Sequence, residues 1–218
     1  MSLTGSNISF YGEKRGEQRV ILHNVNWLTY EQLLQDLSGQ NSRLCFDEGT
    51  LEIMTPLPEH ERVKHAVELI LEFVADEFEM NLYCLGSTTF KRRDVQRGFE
   101  ADSCFYIQNE SKVLGKQGID LSIDPPPDLI VEIDISRDSL SKFAIYHSFK
   151  VPEVWLYEGQ SLQIHLLAEQ SYRRASTSNA FRFLSDVEIS KLLEKNQNTP
   201  SSEFRRLVKA WAKKMPSG

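Results

Sequence analysis

Residues 125–136 read PPPDLIVEIDIS: three prolines lead into an almost unbroken apolar run with a carboxylate set inside it. The run reads as a buried central strand, and the prolines as the loop that delivers the chain into it. Side chains alternate along a strand, so Ile130, Glu132 and Asp134 share one face while Leu129, Val131, Ile133 and Ile135 share the other. Glu132 therefore projects from among apolar neighbours. A charge taken out of water without a partner costs several kcal/mol, so it is neutralised, paired or exposed. Whatever this chain folds into must bring something to meet Glu132.

At 218 residues the chain is long enough to close a full core around such a strand. Its 25 lysines and arginines stand against 31 aspartates and glutamates, a net charge of −6. No global positive field marks it as a nucleic-acid binder, so an anionic partner must be held by local basic patches or through metal ions. The longest apolar stretches, such as AVELILEFVA, are broken by acids and too short to span a bilayer. The N-terminus shows no basic start followed by an apolar block, so neither a signal peptide nor a membrane association is expected. Cys45, Cys84 and Cys104 are odd in number and widely spaced, with no CxxC. That argues against a zinc site or a disulfide framework and fits a reducing cytoplasm.

Along the chain, the polar, glycine-dotted residues 1–25 read as a loosely ordered N-terminal arm. LTYEQLLQDL spells a short helix with Thr29 as N-cap and Gln32 three residues on. Asp47-Glu48-Gly49 marks a turn between two strands. The strongest helix signal runs from His60 to Glu79, where Val63, Val67, Ile70, Leu71, Val74 and Phe78 fall on one face. Pro58 just before it and Glu59 and Glu61 in its first turn suit a helix start. Strands follow in NLYCLGSTTFKRR, EADSCFYIQ and DLIVEIDI. Leu140, Phe143, Ala144 and His147 then have helical spacing, and a hairpin turns at Glu158-Gly159-Gln160. A strand pair in SYRRASTSNAFRF and a last helix from Phe204 to Lys214 complete the reading. The fold class is α/β: a central mixed β-sheet with helices on either side and additional β-hairpins. Residues 26–195 make the single domain, and 196–218 a basic amphipathic helix.

Thirty residues before Glu132, Asp102 opens another strand, DSCFYI. Two carboxylates projecting from adjacent strands can share a divalent cation, and Mg²⁺ prefers one or two carboxylates completed by water and phosphate oxygens. Such an ion activates water and neutralises charge on a phosphate. Read from the residues alone, Glu132 also fits an edge residue or an ion-pair partner, and Asp102 a turn residue at a strand start.

LEIMTPLPEHE at 51–61, EADSCFYI at 100–107, PPDLIVEIDIS at 126–136 and KFAIYHSFKVPEVW at 142–155 occur in order and at fitting spacings. Together they resemble the large "putative restriction endonuclease" domain family long labelled as of unknown function, over roughly Trp27 to Leu167. The resemblance implies a restriction-endonuclease-like fold of the PD-(D/E)xK nuclease superfamily. It makes Asp102 the acid of the first motif, although Ala101 stands where proline is usual, and Glu132 the acid of the second. The lysine of that second motif is absent, because Ile133 is followed by Asp134. Lys142, in the helix after the strand, occupies the displaced basic position. Asp102 and Glu132, with the Ile133 carbonyl, would hold Mg²⁺ or Mn²⁺, and Lys142 would orient the attacking water or stabilise the phosphate. Tyr146, one turn beyond Lys142, would position it. Glu68 on the long helix matches an auxiliary acid, with a solvated polar stripe as the other reading. His60, in PEHE, reads as a capping or surface residue or as a substrate-side group.

Lys91, Arg92, Arg93 and Arg97 cluster just before Asp102, where a hairpin tip would contact DNA phosphates; charge dispersed for solubility is the other reading. The implied activity is Mg²⁺-dependent hydrolysis of DNA phosphodiesters. The altered motif residues also fit a catalytically inactive nuclease fold that serves as a binding module, and an RNA-directed enzyme fits the same scaffold. A homodimer is left open by the resemblance.

Overall fold

The computed structural model describes residues 8–11, 18–135 and 141–215. Its first strands are β1 (Ile8–Tyr11) and β2 (Gln18–Leu22), followed by helix α1 (Trp27–Asp36). The helix begins before Thr29. Asn26 is its cap, and its side chain accepts the Thr29 N–H at 2.9 Å. Asn26 has the extended backbone that a capping side chain needs, which leaves Trp27 and Tyr30 inside the helix and buried. Strands β3 (Arg43–Asp47) and β4 (Thr50–Thr55) form the expected hairpin. Glu48 and Gly49 both take positive φ at its turn, as a two-residue turn matching the strand twist requires. β2 pairs along its whole length with β4. Residues 18–22, expected in a loose arm, are therefore a strand of the sheet, secured by the buried Arg19.

Helix α2 (Pro58–Glu77) follows its apolar spacing, with Val63, Val67, Ile70, Leu71 and Val74 all buried. Then come β5 (Tyr83–Gly86), β6 (Thr89–Arg92), β7 (Arg97–Glu100) and β8 (Ser103–Tyr106). A short α3 (Glu110–Val113) precedes β9 (Leu129–Asp134), the strand of the opening motif. Helix α4 (Phe143–Ser148) turns Ile145 and Tyr146 inward and leaves Ala144 exposed, which departs from the expected face; Leu140 lies outside the described residues. The hairpin β10 (Glu153–Glu158) and β11 (Ser161–Leu167) turns at Gly159-Gln160. SYRRASTSNAFRF yields one strand, β12 (Tyr172–Ala175), rather than two. Helix α5 (Asp186–Asn196), absent from the sequence reading, starts at Ser185, whose hydroxyl accepts the Glu188 N–H while Glu188 reaches back to it. That reciprocal Ser-x-x-Glu spelling was its available signal. Helix α6 (Ser201–Ala212) closes the chain.

The described strands make two six-stranded sheets. One has the order β1-β2-β4-β3-β7-β6 with antiparallel neighbours. The other, β12-β11-β10-β9-β8-β5, is mixed, because β9 and β10 run parallel. Parallel neighbours cannot be joined by a tight turn, so the chain crosses over through α4. The chain passes from the first sheet to the second at Ala101-Asp102, between β7 and β8. Leu129, Val131 and Ile133 of β9 pack into a core with residues of α2, α5 and α6. Ile130, on the other face, packs with Phe99, Ile145, Tyr146 and Val154. A third cluster places Trp27 and Tyr30 on Phe46, and Tyr30 lies so close to Gly98 of β7 that any side chain there would collide with its ring.

Candidate active site

The register Ser103↔Val131 between β8 and β9 carries Asp102 to the level of Glu132. Asp102, only 1% exposed, accepts the Ile133 N–H on Oδ2 at 2.7 Å. The crossover returns Lys142, at the start of α4, above the same strand. Its Nζ lies 2.7 Å from Glu132 Oε2. Tyr146, one helical turn on, donates its hydroxyl to Glu132 Oε1. Tyr146 was expected to position Lys142; instead both side chains converge on one carboxylate. Glu132, Lys142 and Tyr146 are each at least nine-tenths buried.

The two acids are pushed in opposite directions. Burial raises the Glu132 carboxyl, the Lys142 charge pulls it back, and the Asp102 charge adds to the rise, leaving it above the usual carboxylate range. Burial also acts to raise Asp102. His60, Lys142 and the Ile133 N–H outweigh it and hold Asp102 below that range. Burial works against the Lys142 ammonium, but Glu132 in the first place keeps it protonated well beyond neutral pH. Tyr146 is likewise held in its hydroxyl form, by burial and by the Glu132 charge.

His60, which the sequence left between a cap, a surface residue and a substrate-side group, and Arg19, which it did not single out, both belong to this centre. His60 is fully buried, with Nε2 3.1 Å from Asp102 Oδ2; nothing in the helical spacing separated it from a capping histidine. Arg19 of β2 reaches Glu52 Oε1 at 3.3 Å and Asp134 Oδ1 at 3.5 Å, in a buried trio. Its signal was faint, one of two arginines in a polar, glycine-dotted segment. Asp134, which stands where the superfamily motif has lysine, thus faces a guanidinium brought from 115 residues away.

Other expected residues lie elsewhere. Glu68 accepts the Ser103 hydroxyl at 2.8 Å and pairs with Lys64 at 3.9 Å. Since Ser103 and Asp102 are consecutive, this bond ties Glu68 to the helical side of the strand. The basic hairpin is largely neutralised. Lys91 pairs with Glu31 at 2.7 Å, Arg92 with Asp94, and Arg97 with Asp47 and Glu48. The exposed Arg205, Arg206 and Lys209 ride on α6, within the helical layer of α2 and α5 and away from the Glu132 face.

A cavity of about 200 Å³ borders Glu132 and Lys142, with Arg19, Asp134, Ser141 and Tyr146 also in its wall. The carboxylates suit a hard divalent cation. Asp102 Oδ1 is buried with no hydrogen-bond partner. Each Glu132 oxygen accepts one bond and keeps a second lone-pair direction. Among the described residues no three or more His, Cys, Asp or Glu side chains are grouped to hold a metal. Two carboxylates alone would leave the remaining positions of a bound cation to other oxygen donors.

A mixed α/β fold with an acidic centre between its two sheets is the class these features define. The family model described as "Uma2: Putative restriction endonuclease" matches residues 27–198, and the chain belongs to that family. It is also similar to the crystal structure of a "putative nuclease belonging to DUF820" from Anabaena variabilis ATCC 29413. The two are 14% identical, with 69% of this chain and 90% of that one covered, at a TM-score of 0.47. No curated protein matches the chain. Among the described residues no helix is long and apolar enough to cross a membrane.

Proposed function

We propose that this protein is a Mg²⁺- or Mn²⁺-dependent endonuclease that hydrolyses DNA phosphodiester bonds. One observation carries the reading: Asp102, with one buried oxygen left unpartnered, lies level with Glu132 across β8 and β9, and the Glu132 carboxylate meets a protonated lysine at the wall of a cavity. Asp102 and Glu132 are the metal ligands. A bound divalent cation would supply an activated water and offset the phosphate charge. Lys142, held protonated by Glu132, is a charged donor and not a general base. It stabilises the negative charge that builds on the phosphate or orients the water. Tyr146 fixes the rotamer of Glu132 by donating to Oε1. DNA as substrate follows the description of the family. The free thiols of Cys45, Cys84 and Cys104 fit a cytoplasmic setting.

Purified protein is expected to nick supercoiled plasmid in Mg²⁺ or Mn²⁺ and to stop when the metal is chelated. Asp102→Asn and Glu132→Gln, which keep side-chain size, should each abolish nicking. Wild-type activity in either variant removes that residue from the site. Deep burial favours a second reading, a catalytically inactive binding module, since Asp102 is only 1% exposed. An inert wild type that still binds DNA would select it.

A further inference from the structure

The two oxygens of the Asp102 carboxylate are treated unequally. Oδ2 takes the Ile133 N–H at 2.7 Å and lies 3.1 Å from His60 Nε2, whereas Oδ1 is buried without a partner. Buried carboxylates are normally satisfied at both oxygens, so one crowded oxygen beside one bare one calls for a reason. His60 is itself fully buried in the first turn of α2, and Pro58 at the start of that helix sets the position of the turn. Its Nδ1 stands 4.0 Å from Glu61 Oε1. At 3.1 Å from Oδ2 the Nε2 nitrogen is within ion-pair reach of the carboxylate, and a proton on Nε2 makes that contact attractive.

We infer that His60 is a positioning residue. With the β9 backbone it pins Asp102 by Oδ2, so that Oδ1 alone is presented to the cation. This rests on the reading of Asp102 as a metal ligand. Without the histidine, the Ile133 N–H is a single tether about which the carboxylate can turn, and the unpartnered oxygen loses its fixed direction. Residues that orient metal ligands in this way contribute to affinity without touching the ion. The expected defect is therefore in metal binding, ahead of any change in the chemical step.

The test uses Mn²⁺ alone, titrated calorimetrically into the full-length protein in the absence of DNA. His60→Gln keeps an amide donor near the place of Nε2, while His60→Asn moves it to the place of Nδ1. Both are polar and of similar bulk. His60→Gln should bind Mn²⁺ about as well as wild type, and His60→Asn about 10- to 100-fold more weakly. In an Asp102→Asn background the two should no longer differ. Thermal melts establish that each variant folds, and His60→Leu replaces His60→Asn if the latter does not. Equal Mn²⁺ affinity for the Gln and Asn variants beside a binding wild type overturns the role of His60 and leaves the metal site standing. A folded His60→Gln that loses Mn²⁺ as fully as Asp102→Asn also overturns the donor argument. A wild type that takes up no Mn²⁺ removes the metal site and this inference together.

Discussion

Strand β9 buries both of its faces, and the two faces have become different materials. Leu129, Val131 and Ile133 look toward α2, α5 and α6, where partners such as Val67, Ile70, Leu192 and Phe204 make an apolar packed cluster. Ile130 and Glu132 look the other way, where Lys142, Tyr146 and Asp102 supply hydrogen bonds and charge. Burial is equal on the two sides, so burial alone does not mark a site. What separates them is where stabilisation originates. Area removed from water stabilises the helical face. On the other face, charges buried at a desolvation cost are offset only by their partners, an arrangement that contributes little net stability.

That contrast can be broken from either side. Phe105→Ala, on the helical face of β8, should cost about 3–5 kcal/mol in a urea titration, as a large-to-small core change does. Plasmid nicking per folded molecule should be unchanged; a large loss of activity without a stability change would show that the two faces are not separate. Lys142→Met tests the polar face. Burial already raises Glu132, and without the lysine it rises further, so the folded protein holds a proton that the unfolded chain releases. The sign follows: the variant should lose stability as pH rises from about 4.3, by up to about 1.4 kcal/mol per pH unit, until its own folded value is reached, and the gap to wild type should open only above the wild-type folded value. A cost that is flat with pH in urea midpoints would mean that Lys142 does not govern the charge of Glu132. The smallest effect is expected of Ser103→Ala, which removes one of the two partners of Glu68. It should cost about 0.5–1.5 kcal/mol and leave nicking unchanged. If Ser103→Ala abolishes nicking, Glu68 belongs to the catalytic centre after all.

Asp102 and Glu132 could be picked out from the chain by their strand positions, and Lys142 and Tyr146 by the resemblance to the family. Arg19 could not, and His60 could be named but not placed. A histidine in a helical first turn and an arginine in a polar stretch have the same local pattern whether they end in water or in a core. The basic hairpin misled for the complementary reason. Its acids, Glu31 and Asp47, come from α1 and β3, so the cancellation of its charge is invisible in the segment itself.

The sequence by itself determined the alternation of β9, the apolar stripe of α2, the two tight hairpins and the acids that carry the proposed chemistry. Those features depend on neighbours two to four residues away, where backbone geometry alone decides which side chains share a face. Only the tertiary structure decided that the strands divide into two sheets and that Asp102 lies at one of the chain's passages between them. It also decided that Tyr146 and Lys142 both close on Glu132, and that Arg19 faces Asp134 across 115 residues of chain. Such meetings depend on strand register and on how the layers stack, and a buried charge takes its partner from whatever that packing brings within reach.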